Sequence, residues 1–251
     1  MVAGHEIYPQ CSNIVPAKRA ARNRCARKPR AGLWKHPAHW RLAPFDKTRS
    51  MPAPSHFAPV ELHHASRLIN HGPTVLVSSA HGGRRNVMAA AWNMPLDFDP
   101  PKVAVVVDKT TLTRELIEAS GEFVLAVPGR DLAERTLAAG SCSGREGDKF
   151  EALGLAVLPA SQVVAPLPAG CIGWLECRVI NEPHIQRTYD LFLGEVVAAW
   201  ADPAMYSEGR WHFPEQGRRS IHYVSGGQFF ATGEAFEVRK ERNGAVDPAA
   251  E

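Results

Sequence analysis

Residues 86–117, NVMAAAWNMPLDFDPPKVAVVVDKTTLTRELI, limit what this chain can fold into more than any other stretch. The first run, 86–94, is rich in small side chains, with three alanines at 89–91 before Trp92. Small side chains let a flat ligand lie against a strand and bond to its backbone. Pro100 and Pro101 then break the chain. The run 103–107 is continuously apolar and largely β-branched, the pattern of a strand covered on both faces. Asp108-Lys109-Thr110-Thr111 leads into 112–120, where Leu112, Leu116 and Ile117 share one face at helical spacing. A lysine and hydroxyls at a helix N-terminus suit a phosphate, because unpaired N–H groups and the helix dipole both point at it. A small-residue strand beside such a helix start implies a phosphorylated planar ligand.

Around this stretch the sequence predicts a mainly β-protein. A helix is expected over 60–69, a strand over 74–79 and a hairpin turn at Ala80-His81-Gly82-Gly83. Residues 74–107 then read as a three-stranded antiparallel meander. Further strands are expected at 122–127, 172–180 and 191–200, with short ones at 221–224 and 228–231. Asp131 with Glu134 matches a capping box for a helix running to Ala139 and closed by Gly140. Asp148, Glu151 and Gly154 frame a second, shorter helix. The strands return without the regular strand–helix alternation of a parallel sheet, so an antiparallel barrel with inserted helices is the expected fold.

The formal net charge is +3, but eleven of the 29 basic residues and only two of the 26 acidic ones fall within residues 1–50. That segment carries +9 and the remainder −6, so the overall charge gives no reason to expect nucleic-acid binding by the folded part. Residues 1–54 read as a basic extension without strand alternation. A disordered arm, an organellar transit segment and a segment upstream of a true start at Met51 all fit. The folded domain is expected over 55–240, with a disordered tail over 241–251. No apolar run of about twenty residues is available for a membrane helix. With no signal-peptide core either, a soluble, cytoplasmic protein is expected.

Five cysteines, at 11, 25, 142, 171 and 177, form no C-x-x-C pair, and the odd number argues against a disulfide framework. Cys171 and Cys177 lie an even number apart in a strand-like run, so they are expected on one face as small buried residues. His63, His64 and His71 lack acidic partners at ligand spacing, and no metal site is expected. No G-x-G-x-x-G follows a strand, and no P-loop occurs. Gly140-Ser141-Cys142-Ser143-Gly144 has the outline of a nucleophile elbow. A helical run precedes it and a polar turn follows, so a turn with a modestly reactive thiol is the simpler reading. Trp92 alone would be an ordinary core residue, and Lys109 alone a solvated one.

Together, the 86–117 stretch, EFVLAVP, SCSGREGDKFEALGL, LECRVI and YDLFLGEV closely resemble the flavin reductase-like family with the FMN-binding split-barrel fold. The resemblance runs from about residue 55 to about residue 236, and the first fifty residues have no counterpart in it. It implies a six-stranded antiparallel split β-barrel, usually a homodimer, binding FMN non-covalently near the subunit interface. Carried onto this chain, Asn86, Met88, Ala89, Ala90, Ala91 and Trp92 would lie along the flavin ring and ribityl chain. Lys109, Thr111 and Thr113 would hold the phosphate, and Ser143, Gly144 and Lys149 would approach the flavin or its phosphate. Tyr223 and Phe229, in the aromatic segment 223–230, would cover the ring from the partner subunit. Relatives often have a serine where Ala91 stands, so backbone N–H groups would serve there instead of a hydroxyl.

The resemblance further implies hydride transfer from NAD(P)H to the flavin and onward transfer to an acceptor, such as a partner monooxygenase. No side chain need act as acid or base. The alternatives are an FMN-binding electron carrier reduced by a partner protein, a sensor holding FMN or haem without turnover, and a hydrolase using Cys142.

Overall fold

The computed structural model describes residues 57–238, so the expectations for 1–54 and 241–251 lie outside the described residues. In chain order the main strands are β1 (Val75–His81), β2 (Arg84–Ala90), β3 (Asn93–Phe98), β4 (Pro101–Val106) and β5 (Glu122–Val127). They continue with β6 (Gly173–Ile180), β7 (Leu191–Ala201), β8 (Ile221–Ser225) and β9 (Gln228–Ala231). The helices are α1 (Leu112–Ser120), α2 (Ala133–Ser141), α3 (Lys149–Ala152) and α4 (Pro183–Tyr189). The main sheet has the order β2-β1-β5-β6-β7-β4-β3, every pair antiparallel, with Ala58–Pro59 beside β7 as an eighth strand. The fold is therefore mainly β with inserted helices, and the path carries seven strands where the family resemblance implies six.

Two local hairpins start the sheet. Gly82 and Gly83 join β1 to β2 at φ of 57° and 80°, the doubly positive backbone that a two-residue turn needs to match strand twist. Residues 74–107 do not form a single meander. The 86–94 run breaks after Ala90, and β2 and β3 part to opposite ends of the sheet. Asn93 fixes this corner by donating from Nδ2 to the carbonyls of Pro73 (2.9 Å) and Ala90 (3.4 Å). The Trp92 carbonyl accepts from Val106 N–H at 3.0 Å.

Both faces of the central strands are covered. Val75, Val77, Leu125, Leu175 and Phe192 enter one core, together with Ile117 of α1. Leu76, Val124, Ala126 and Trp174 enter a second core with Phe150 of α3. Successive residues of β1 and β5 thus feed different cores, which explains continuous apolar runs in an antiparallel sheet. Gly194 is forced by this packing, since a Cβ there would lie 2.5 Å from Phe123 Cζ.

Other local readings change. The first helix is a 3-10 segment, Leu62–Leu68, and α2 follows a 3-10 turn, Arg130–Leu132, without a side-chain cap. Asp131 instead lies 3.5 Å from Arg218, and Gly140 sits inside α2. Asp148 does cap α3, accepting from Phe150 N–H at 2.8 Å. Helix α4, opened by Pro183 in its first turn, had no counterpart among the expected elements. Cys171 and Cys177 are both buried but enter different cores, because β6 starts only at Gly173 and strand alternation does not extend back to Cys171.

One buried carboxylate fastens the connection before β6. Glu176, fully buried, accepts from Ser161 N–H at 2.9 Å, from Trp200 Nε1 at 2.8 Å, from the Ser161 hydroxyl and from Gln162 N–H. Glu176→Ala leaves these part-buried donors unpaired, so it is expected to cost about 2–4 kcal/mol. Chemical denaturation of the purified variant checks this, and an unchanged midpoint would contradict it.

Candidate cofactor-binding site

The N-terminus of α1 is built by short-range hydrogen bonds. Asp108 Oδ1 accepts from both the N–H (2.7 Å) and the hydroxyl (2.6 Å) of Thr110, and these bonds hold its carboxyl below the usual range. Thr111 is the N-cap: its hydroxyl donates to the Asp108 carbonyl at 2.8 Å and accepts from Arg114 N–H at 3.3 Å. The cap leaves the first-turn N–H groups of Leu112 and Thr113 without helical acceptors, which is the usual basis of an anion site. Lys109 is exposed beside them.

Arg114 anchors the helix from behind. Its buried guanidinium donates to Glu118 (2.8 Å), to the Gln186 carbonyl (2.8 Å) and to Asp190, and lies over the Phe192 ring. These partners come from α1, α4 and β7, so the position of the α1 start is set by the sheet's far elements.

The 142–148 connection crosses the free edge of β2. Arg145 reaches α1, with Nη2 2.6 Å from Glu115 and 3.2 Å from the Thr110 carbonyl. Asp148 binds Arg85 of β2 at 2.7 Å, and that guanidinium lies over the Phe150 ring. Between them, Asn86 is 2% exposed and donates to Thr113 Oγ1 at 2.8 Å. Its Oδ1 is buried without a partner, as is Ser79 Oγ on the paired position of β1. A Cβ on Gly144 would fall 2.2 Å from Asn86 Oδ1, so only glycine lets the connection approach.

The other end of β2 is a corner and a wall. Ala91 and Trp92 are exposed where β2 turns into β3. The β8–β9 hairpin is fixed beside that end, with Thr74 N–H donating to the Ile221 carbonyl and Tyr223 N–H to Thr74 Oγ1, both at 2.8 Å. Its tip reaches α2, where Gly227 approaches Leu137. Tyr223 and Phe229 meet edge to face, with centroids 5.2 Å apart.

The expected site residues thus fall into separate groups. Asn86, Thr113 and Gly144 interlock under the start of α1, with Thr111 and Lys109 at its rim. Ser143 is exposed, its hydroxyl accepting from Arg145 N–H at 3.2 Å. Lys149 is buried and donates to the Ala139 carbonyl at 2.7 Å, away from the α1 start. Met88 and Ala90 face the first core, Ala89 is half-buried under Gly140, Ala91 and Trp92 are exposed at the corner, and Tyr223 and Phe229 lie on the hairpin tied to Thr74. Sequence reasoning missed Arg85, Arg114 and Arg145; an arginine directly after Ser-Gly was the available signal. Among the described residues no three His, Cys, Asp or Glu side chains gather as a metal site.

An antiparallel split sheet with a small-residue edge strand and an anion-ready helix start defines a nucleotide-type cofactor-binding fold. The model of the flavin reductase like domain matches residues 66–218, and the chain belongs to that family. An Escherichia coli protein of uncharacterised role, YddH, is 48% identical over 182 residues, covering 71% of this chain and 96% of its own. Among solved structures, the FMN-binding domain of a flavin reductases-like enzyme from Shewanella baltica is also 48% identical, with a TM-score of 0.71. That match covers 73% of this chain and 97% of the Shewanella one. The flavoredoxin of Desulfovibrio vulgaris is 25% identical, with a TM-score of 0.59 over 76% of this chain and 96% of its own.

Gly144→Ala must push the 142–148 connection off Asn86. Overpacking of this kind costs about 1–3 kcal/mol, so amide exchange across 142–148 is expected to speed up on the order of tenfold. Exchange measured peptide by peptide, with β6 as an internal standard, checks this.

Proposed function

We propose that this chain binds FMN along β2 and transfers electrons from NAD(P)H through it to an acceptor. The observation that carries the reading is the pairing of an anion-ready α1 start with an exposed aromatic corner, joined by one small-residue edge strand. From Asn86 to Ala90 the strand spans about 13 Å, with Trp92 at the corner beyond it, so a phosphate would sit at one end and a flat ring at the other. The family membership and the 48%-identical FMN-binding Shewanella domain support the same assignment.

The donor chemistry fits FMN. The Leu112 and Thr113 N–H groups, Lys109 and the Thr111 cap suit a phosphate, which offers only acceptors once ionised. Asn86 Oδ1, an orphaned acceptor, suits a hydroxyl of the ribityl chain instead. Gly144 lets the 142–148 connection close against Asn86, where a Cβ would fall 2.2 Å from Oδ1. Ser143 borders the loop end, while Ala89 and Ala91 let the ring approach the strand; Ala90 faces the first core and Lys149 is turned to the Ala139 carbonyl. Met88 backs the strand from the core, and Tyr223 and Phe229 border the ring end. When bound, FMN supplies the hydride and electron chemistry. The protein's part is to orient the ring, shield it from water and fix the phosphate.

A second copy of the chain would cover the exposed face of β3. Met94, Leu96 and Phe98 alternate outward on this edge strand next to Trp92, with Phe98 71% exposed. Such a run on an open edge invites pairing. We therefore propose a homodimer, and place it in the cytoplasm; Cys142, Cys171 and Cys177 are free thiols, in keeping with a reducing compartment. No described helix is long and apolar enough to cross a membrane. The same apolar face would suit a partner monooxygenase or other acceptor. The competing reading, an electron carrier reduced by a partner protein, draws on the resemblance to flavoredoxin.

Purified protein reconstituted with FMN is expected to show flavin absorbance that bleaches anaerobically with NADH or NADPH. Flavin that stays oxidised with both nucleotides would favour the carrier, and failure to bind FMN would end the proposal. Lys109→Ala is expected to weaken FMN about fivefold, the order of one exposed charge contact, and to leave riboflavin unaffected in fluorescence titrations. Replacing Leu96 and Phe98 by Asp is expected to yield monomers in light scattering; a wild-type monomer would refute the dimer.

A further inference from the structure

A hydrogen-bond chain joins the β8–β9 hairpin to the loop before β1. His222 Nδ1 lies 2.9 Å from the Gly72 carbonyl, which can only accept, so Nδ1 carries a proton. In a neutral ring His222 Nε2 is then an acceptor, facing the Thr232 hydroxyl at 3.3 Å. Thr232 Oγ1 in turn lies 2.5 Å from Ser220 Oγ, and Ser220 Oγ lies 2.7 Å from His71 Nε2. One order satisfies every member, with His71, Ser220, Thr232 and His222 each donating to the next and the Gly72 carbonyl accepting last, although Thr232 Oγ1 also lies 3.3 Å from the Ser220 carbonyl. In this order His71 carries its proton on Nε2, and its Nδ1 is buried without a partner.

We propose that His71 is a positioning residue that latches the aromatic hairpin beside the candidate site, and that acid opens this latch. A second proton on His71 would create an Nδ1–H donor in a buried place that offers it no acceptor. The groups packed around the ring are Trp211, Phe213 and His222, with centroids 5.9, 6.2 and 5.8 Å away. Of these only the His222 ring can bear a charge, and it disfavours a second proton on His71. Arg219, next to Ser220, donates to the Thr232 carbonyl at 3.3 Å and adds further positive charge. None of the contacts described for His71 is to a carboxylate.

Burial first, and then His222, lower His71 from 6.5 to about 4 in the docked state. A released hairpin leaves His71 solvated, taking its proton near the ordinary 6.5. Docking therefore has its full advantage above 6.5 and loses about tenfold per pH unit as the pH falls toward 4. The hairpin carries Tyr223 and Phe229, so opening would uncover one side of the candidate ring end. Only this last consequence rests on the FMN reading.

Hydrogen exchange of the full chain without added FMN, corrected for intrinsic rates, tests the latch. Between pH 7.5 and 5, peptides over 220–232 are expected to lose at least about tenfold in protection, while β5, β6 and β7 keep theirs. His71→Gln retains a donor toward Ser220 but cannot titrate, and its hairpin protection is expected to be flat with pH. Unchanged wild-type protection, or an equal acid loss in His71→Gln, overturns the proposal. Should that variant not fold, ring resonances of wild-type His71 decide: titration near 4 supports the latch, and titration near 6.5 overturns it. In protein loaded with FMN, flavin release following the same pH profile in wild type alone ties the latch to the site. If FMN never binds but the exchange result holds, the cofactor reading fails and the latch stands.

Discussion

A sheet that curls without closing must do something with two free edges, and this constraint organises the molecule. The chain passes from β2 to β3 through only Ala91 and Trp92, yet these strands end up at opposite ends of the sheet order. Unpaired strand edges attract other strands. One edge, β2, is crossed by the 142–148 connection, which grips α1 through Arg145 and β2 through Asp148. The other, β3, keeps its apolar outer face open. The candidate site is placed along the first edge, where β2 has a strand neighbour on one side only.

Much of the framework was legible because it is written in short-range signals. Gly82-Gly83 marks the first hairpin, Thr111 and Gly121 bound α1, and Asp148 opens α3, each through a bond or a backbone angle set within a few residues. Residues 228–231 were read with their boundaries intact for the same reason. The start of α1 at Leu112 also came from local pattern alone, and the capping bonds bear out that boundary.

What escaped the sequence is set at long range. The split of 86–94 into two strands depends on Asn93 reaching back to Pro73, and nothing in AAAWNMP announces it. Arg114 looks like any exposed helical arginine until Asp190 and Gln186 close around it. Glu176 lies on the second-core face of β6 beside Trp174, and its hydrogen-bond partners come from the 159–165 connection and Trp200, outside its own strand. Cys171 and Cys177 parted because the period-two argument was carried past the start of β6.

The register of the sheet also dictates an order of assembly. The β1–β2 and β3–β4 hairpins join residues close in sequence, whereas β4 must wait for β7 to bring Leu191 opposite Val106. Likewise β5 finds β6 only after the whole α2–α3 region has been made, pairing Glu122 with Arg178. Loop closure on this scale slows folding. A chain emerging during synthesis therefore holds two finished hairpins with bare apolar faces until its last third arrives, and during that interval it is most exposed to aggregation.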